Sequence, residues 1–427
     1  MHTLDQLRSG ALAGATRLDL QADLSDFPPE IFSLADSLEI LNLSGNRLHY
    51  LPEDLHRLHK LRILFCSDNP FTHLPACLGA CTSLTMIGFK ANQITTLDPA
   101  AFPPNLRWLI LTDNQITSLP DSLGACTQLQ KLMLSGNQLS HLPDALAACT
   151  RLELLRIAAN HFTTLPDWLL NLPRLAWLAF AGNPLSTPAL PASLTDIPWH
   201  ALELQTQLGE GASGSIHRAL WNQDQPVAVK LFKGAVTSDG LPASEMQASL
   251  AAGTHPNLIP VHGRLTQHPD QTEGLILDLI DPTYQTLAHP PSFDSCTRDV
   301  YSTPLNLSPN TSLSIARSIA SAAHHLHSRH INHGDLYAHN VLWHSNGHAY
   351  LGDFGAAAFY PPELSTSLQQ IEARAFGCLL EELLAHATWT PETHSLQTTL
   401  QNLTTQCLTP APCERPLFDQ ILSTLKN

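Results

Sequence analysis

From Leu18 to Leu185 apolar residues return in one arrangement: two or three alternate aliphatic positions, then a polar turn, then another aliphatic residue. "LEILNLSGNRL" from Leu38, "LRWLILTDNQI" from Leu106, "LQKLMLSGNQL" from Leu129 and "LAWLAFAGNPL" from Leu175 are four instances. The asparagine of the turn stands at 46, 69, 92, 114, 137, 160 and 183, and Asp23 continues the series backwards after "LDL" at 18–20. Alternation over so few residues predicts a short strand with its leucines inward. The asparagine side chain, with both donor and acceptor, is suited to bridging backbone groups in the turn. A Leu-Pro pair follows at 51–52, 74–75, 119–120, 142–143 and 165–166 and starts the opposite side of each unit. Cys66 replaces one strand leucine, and Leu97-Asp98 replaces one Leu-Pro. One such unit cannot bury its own apolar face, and about three must stack before an array is stable.

This pattern resembles the leucine-rich repeat family, which implies a solenoid over residues 1–185 with an N-terminal cap. Strand positions on its concave side are expected to include Ile40, Ile63, Phe65, Met86, Trp108, Ile110, Met133, Leu154 and Trp177, with Lys90, Lys131 and Arg156 between them. Large exposed apolar patches mark interfaces. A protein partner is therefore expected on this face, anchored by Phe65, Trp108 and Trp177, with docking of the chain's own second half as the alternative.

A proline-bearing connection (186–200) leads to a different rhythm. In "LQTQLGEGASGSIHRAL" a strand pattern breaks at Gly209, Gly211 and Gly214 and resumes without a helix cap. That order predicts two strands joined by a glycine turn, a flap whose backbone N–H groups suit phosphates. "VAVK" ends a further strand on Lys230, and "SEMQASL" places Glu245 on a predicted helix. "HPNLIPVHG" (255–263) and "GLILDLI" (274–280) read as strands, "LSIARSIASAAHHLHSRH" as a helix, and "HNVLWHSNGHAYLGDFG" as strand again. Between these last two lies "HINHGDLYAHNVLW", with His333, Asp335 and Asn340 closely spaced.

The order of these motifs resembles the eukaryotic-type protein kinases, and the resemblance covers residues 201–427. It implies a multidomain chain, α/β followed by α+β: a repeat solenoid, then a bilobal kinase-like fold. Carried over by motif, Asp335 takes the acceptor hydroxyl's proton, and Lys230, paired with Glu245, holds the α- and β-phosphates of ATP. Asn340 and Asp353 would bind Mg²⁺, Gly209, Gly211 and Gly214 would cover the nucleotide, and Asp278 and Ile280 would flank the adenine. Arg415 of "ERP" matches the structural arginine near the last helix. The activity implied is phosphotransfer from ATP to a protein hydroxyl, serine or threonine favoured over tyrosine.

Several positions depart from the family's commonest form. Gly334 stands where arginine is usual, and Tyr337 where many serine/threonine kinases carry lysine. His-Gly-Asp is also how aminoglycoside-type small-molecule kinases write this loop, so a metabolite kinase and an ATP-binding pseudokinase are the alternatives. From Asp353 to "PPE" at 361–363 the activation segment is short, and Glu372 follows closely, matching a helix that family members open with aspartate. A segment so short, with Phe359 and Tyr360 expected to pin it, implies a kinase needing no phosphate there. Ser365, Thr366 and Ser367 lie beyond it.

Composition narrows the function classes. The 427 residues carry 22 Lys/Arg against 37 Asp/Glu, a net charge of −15. The second half is the more acidic, which argues against nucleic acid, whose phosphates need clustered base. No apolar run approaches the roughly 20 residues of a membrane helix. The N-terminal stretch has no continuous apolar signal core, so a cytoplasmic protein is expected. The nine cysteines show no disulfide-module or zinc spacing and read as buried thiols.

Overall fold

The computed structural model describes residues 2–187, 195–211, 213–234 and 236–426. Of the expected connection 186–200, residues 188–194 lie outside the described residues. The chain divides into two compact units, Met1–Leu172 and Pro173–Asn427.

In the first unit, three-residue strands stack in parallel: Arg17–Asp19, Ile40–Asn42, Ile63–Phe65, Met86–Gly88, Trp108–Ile110, Lys131–Met133 and Leu154–Arg156. Each pairs with its neighbour one repeat away, so Leu41 lies beside Leu64 and Leu64 beside Ile87. The central residue of every strand points inward and is buried. The asparagines form the ladder that their spacing predicts. Asn69 Oδ1 accepts from Leu48 N at 2.9 Å, while its Nδ2 donates to Leu43 O at 3.0 Å. Asn92, Asn114, Asn137 and Asn160 bridge adjacent turns in the same way. Each satisfies backbone groups that would otherwise be buried without partners. The Leu-Pro pairs lead into short 3₁₀ turns such as Ala76–Ala80, Asp121–Ala125 and Asp144–Ala148, with proline at the N-cap.

Two expectations are corrected here. Asp23 does not extend the ladder: its carboxylate is 79% exposed and pairs with Arg47 at 2.9 Å. Its backbone takes the left-handed conformation (φ 54°), which later repeats place one residue before the asparagine, as at Asp68 and Ala91. Nor is the concave stripe a continuous exposed patch. Ile63, Met86, Met133, Leu154 and Trp177 are buried, as are Lys131 and Arg156. Around Trp108, strands about 4.8 Å apart let large side chains cover one another. Trp108 Nε1 approaches Met133 Sδ at 3.2 Å, and the Lys131 ammonium sits 4.0 Å above the Trp108 ring. A Cβ on Gly88 would lie 2.7 Å from Phe65 Cδ1, so the Phe65 ring lies over its neighbour's backbone. The thiol expectation holds apart from Cys413: the other eight free cysteines are buried and Cys413 is exposed.

The second unit begins with the strand Trp177–Ala179, by sequence the last repeat. A six-stranded sheet follows in the order 196–198, 261–266, 274–278, 225–232, 214–221, 202–210. Asp196–Pro198, inside the stretch expected to link the halves, pairs in parallel with Arg264–Thr266, and Asp196 meets the Arg264 guanidinium at 2.6 Å. Ile197, Leu202, Val227, Val229, Leu265 and Ile276 form the apolar cluster of this sheet. The helix Pro242–Ala252 follows it. Helices Pro309–His327, Ser365–His386, His394–Cys407 and Phe418–Lys426 make the rest of the unit, with small hairpins between them. No helix among the described residues is long and apolar enough to cross a membrane.

Candidate active site

The glycine-rich hairpin is the flap that its sequence predicts. Leu202–Glu210 and Gly214–Trp221 run antiparallel, with Gly209 opposite Ile216 and Gly211 N donating to Gly214 O at 2.8 Å. Added Cβ atoms at Gly209 and Gly211 would meet nothing within 4 Å, whereas one at Gly214 would lie 2.2 Å from Leu231 O. Gly214 is thus demanded by close backbone approach, and the other two leave the flap uncovered.

Next in the sheet, Gln225–Phe232 places Lys230 between Ile216 and Leu275. Its ammonium is paired with Glu245 of the helix Pro242–Ala252. Burial pushes the Glu245 carboxyl above its usual range; Lys230 pulls it down, and Asp353 pushes it further up. Lys230, Glu245, Ile216, Leu277, Asp353 and Phe354 line a cavity of about 180 Å³. Asp278 and Ile280 are not among its described lining residues. Asp278 ends the strand Gly274–Asp278, its N–H bonded to Pro260 O and its carboxylate 2.6 Å from His262 Nε2.

The loop after helix Pro309–His327 carries the second group. His333 is fully buried, with Nε2 at 2.9 Å from Gly352 O and Nδ1 accepting from Asp335 N at 3.3 Å. Those partners require the proton on Nε2. Asn340 Nδ2 donates to both Asp335 O (2.9 Å) and Asp335 Oδ2 (2.8 Å), and Asn340 O accepts from Gly352 N at 2.9 Å. Asp335, Asn340 and Asp353 are thereby tied together through residues 333 and 352. Asp353 itself has φ 53° and accepts from Gly355 N at 3.0 Å.

Besides the catalytic and nucleotide residues expected from the sequence, Glu372, His327, Asp299 and Trp177 hold this loop. Glu372 Oε1 accepts from Gly334 N at 2.8 Å. His327 Nε2 lies 2.8 Å from Glu372 Oε2, close enough for an ion pair although neither atom makes a well-aligned hydrogen bond. Burial alone would raise the Glu372 carboxyl, but His327 and the Gly334 N–H hold it below its usual range. Glu372 does not open its helix, as the sequence match implied; it lies in the middle of Ser365–His386. Asp299 accepts from His339 N at 2.9 Å and approaches His339 Nδ1 at 2.7 Å. Trp177 stacks on Tyr337. Glu372 and Trp177 both stand out in the sequence, though neither for this role; His327 and Asp299 do not.

The activation segment is pinned. Ala358–Phe359 pairs with Ile331–Asn332, Tyr360 N donates to His330 O at 3.0 Å, and the Tyr360 hydroxyl lies 2.9 Å from His327 Nδ1. Phe359 and Tyr360 are buried. Arg415 is buried just before the last helix, donating to Thr409 O (2.9 Å), Gln370 O (3.2 Å) and Pro173 O (2.7 Å). Burial, aided by Arg374, lowers its pKa to about 10.

A sheet with a glycine flap, a Lys–Glu pair and a loop bearing Asp335, Asn340 and Asp353 define the class. Residues 202–375 match the family of protein tyrosine and serine/threonine kinases. Residues 37–58 and the overlapping spans 82–139, 104–162 and 127–185 match leucine-rich repeats. The chain therefore joins leucine-rich repeats to a domain of the protein kinase family.

Among curated proteins it is similar to one of Acanthamoeba polyphaga mimivirus, provisionally named a serine/threonine-protein kinase: 26% identity, 37% of this chain and 27% of that one. Cyclin-dependent kinase 10 of Homo sapiens is 26% identical over 45% of this chain and 57% of its own. Tyrosine-protein kinase SRK2 of Spongilla lacustris is 25% identical over 41% and 46%. The chain thus spans from about a quarter to just over half of the length of the curated relatives it matches. A solved leucine-rich repeat protein of Leptospira interrogans is 32% identical, with TM-score 0.38, over 42% of this chain and 46% of that one.

Proposed function

We propose that the chain is an ATP-dependent protein kinase acting on serine or threonine hydroxyls, with the repeats recruiting a protein partner or substrate. The observation that carries the reading is the Lys230–Glu245 pair at a cavity that also contains Asp353. Asp353 in turn is tied to Asp335 and Asn340 through the loop hydrogen bonds. Phosphoryl transfer asks a protein mainly for positioning and charge neutralisation, and this set supplies both. Lys230 would hold the α- and β-phosphates, kept in place by Glu245. Gly209, Gly211 and Gly214 would bring backbone N–H groups over the nucleotide, and Asp278 and Ile280 would flank its base. Asp335, close to Asn340, would accept the proton of the acceptor hydroxyl.

The donor set suits Mg²⁺, which prefers oxygen ligands and keeps several waters. Asn340 commits its Nδ2 to Asp335, which leaves its Oδ1 and the Asp353 carboxylate as ligand atoms. Bound Mg²⁺ supplies charge neutralisation at the phosphates. Residues 1–185 as recruiting solenoid and 201–427 as kinase domain remain our division of labour, with partly exposed Phe65 and Trp108 as the candidate partner contacts. Eight buried free thiols suit a reducing cytoplasm.

The test is radiolabelled γ-phosphate transfer with phosphoamino-acid analysis. The wild-type chain should label serine or threonine. Lys230→Met and Asp335→Asn should each lower the rate by a factor of about a thousand or more, several kcal/mol of transition-state stabilisation at ~1.4 kcal/mol per tenfold. Full activity in Asp335→Asn would refute the reading.

A further inference from the structure

The strand Trp177–Ala179 is written as the last repeat, yet its buried side chains and carbonyls are engaged by the catalytic loop. The Trp177 ring stacks on Tyr337 with centroids 4.1 Å apart and planes 6° from parallel. Its Nε1–H donates to Leu336 O at 3.0 Å. One residue on, Leu178 O accepts from Asn332 Nδ2 at 3.1 Å. The same carbonyl would lie 2.6 Å from a Cβ at Gly334. Asp335 is therefore gripped on both sides: Asn332 and Gly334 precede it, Leu336 and Tyr337 follow it, and all four meet residues 177–178. Further along, Arg374 and Arg415 hold the carbonyls of Arg174 and Pro173 at 3.1 and 2.7 Å.

We propose that Trp177 is a positioning residue for phosphoryl transfer, fixing the catalytic loop through its stack on Tyr337 and its hydrogen bond to the Leu336 carbonyl. The inference rests on the protein-kinase reading and adds to it: the last repeat completes the catalytic loop. An aromatic stack and a buried hydrogen bond are rigid restraints. A loop that drifts by an ångström takes its base out of line with the acceptor, and such misplacement costs on the order of a hundredfold in rate. The effect belongs in kcat, because nothing in the contact set touches the cavity beside Lys230.

The test combines kinetics with amide hydrogen exchange on the full chain, comparing wild type, Trp177→Ala and Trp177→Phe. Trp177→Ala should speed exchange across residues 333–340 by about tenfold or more while the helix Pro309–His327 stays slow. Its kcat per folded molecule should fall by roughly tenfold to a hundredfold, with KM for ATP within about twofold. Trp177→Phe keeps a ring to stack but removes the N–H, and should fall between the two. A merely structural role would lower the melting temperature and leave kcat per folded molecule unchanged. Loop exchange as slow as wild type, or kcat within about twofold of it, would overturn the proposal. Should Trp177→Ala fail to fold, Trp177→Phe decides by the same two readings. If the wild-type chain transfers no phosphate, the kinase reading fails, and loop exchange alone then decides whether Trp177 holds the loop.

Discussion

Gly334 shows how one position can be decided by its surroundings. It adopts φ 72°, and a Cβ there would lie 2.6 Å from Leu178 O and 2.7 Å from Ala356 O. Two carbonyls occupy the space a side chain would need, so the arginine common at this position in the family has no room to leave the backbone. Gly334→Ala combines left-handed strain with a clash against backbone and should cost about 2–4 kcal/mol. Urea unfolding measures it; a loss under about 0.5 kcal/mol would mean the loop relaxes freely. The departure at 334 was legible in the sequence, but its cause was not. One of the two carbonyls that exclude a side chain comes from Leu178, far upstream, and nothing in "LAWLAFAGNPL" distinguishes a strand against another repeat from one against a catalytic loop. Local pairs such as Lys230 with Glu245 were legible because strand and helix lie close in sequence and each has its own period.

Segments without a period left the sequence silent. Residues 281–307 show neither strand nor helix rhythm, yet Asp299 from this stretch braces the catalytic loop at His339. Arg298 beside it bonds Glu381 and Glu382 of the long helix at 2.8 and 3.0 Å, which anchors the brace. Burial alone would lower the His339 pKa, but Asp299, with Asp335 and Asp353 behind it, outweighs burial and raises it. A histidine raised in the folded state stabilises it fully below its unfolded pKa of about 6.5, and that contribution is lost as pH rises through the folded value. The stability gap between wild type and Asp299→Asn should therefore be widest below about pH 6.5 and narrow above it, as urea midpoints across pH would show. A gap that widened with rising pH would show that His339 is not charged in the folded loop. The long helix was misplaced in the sequence for a related reason. Buried Leu368, Ile371, Glu372, Ala375, Phe376 and Leu379 keep helical spacing from Ser365 onward, but Glu372 sits on the buried face among them, and a charged residue read as a helix start.

At the scale of the molecule, repeats and kinase motifs were both legible because each follows a strict rule: a period of 23 residues, and a fixed order of charged residues. The boundary between the units was less so. The repeat period runs on to Asn183, whereas the first compact unit ends at Leu172 and the last repeat strand belongs with the kinase residues. On the proposed kinase reading, the activation segment takes its place with no phosphate on it. Ala358–Phe359 is hydrogen-bonded in place, Tyr360 is buried, and Glu372 holds the Gly334 N–H. Ser365, Thr366 and Ser367 belong instead to the first turn of the helix Ser365–His386. The most direct test is the rate of phosphate transfer to one fixed peptide. It compares the untreated chain with a phosphatase-treated chain carrying Ser365→Ala, Thr366→Ala and Ser367→Ala. The account predicts rates within about twofold of each other; a fall of about tenfold or more, ~1.4 kcal/mol in the barrier, would contradict it.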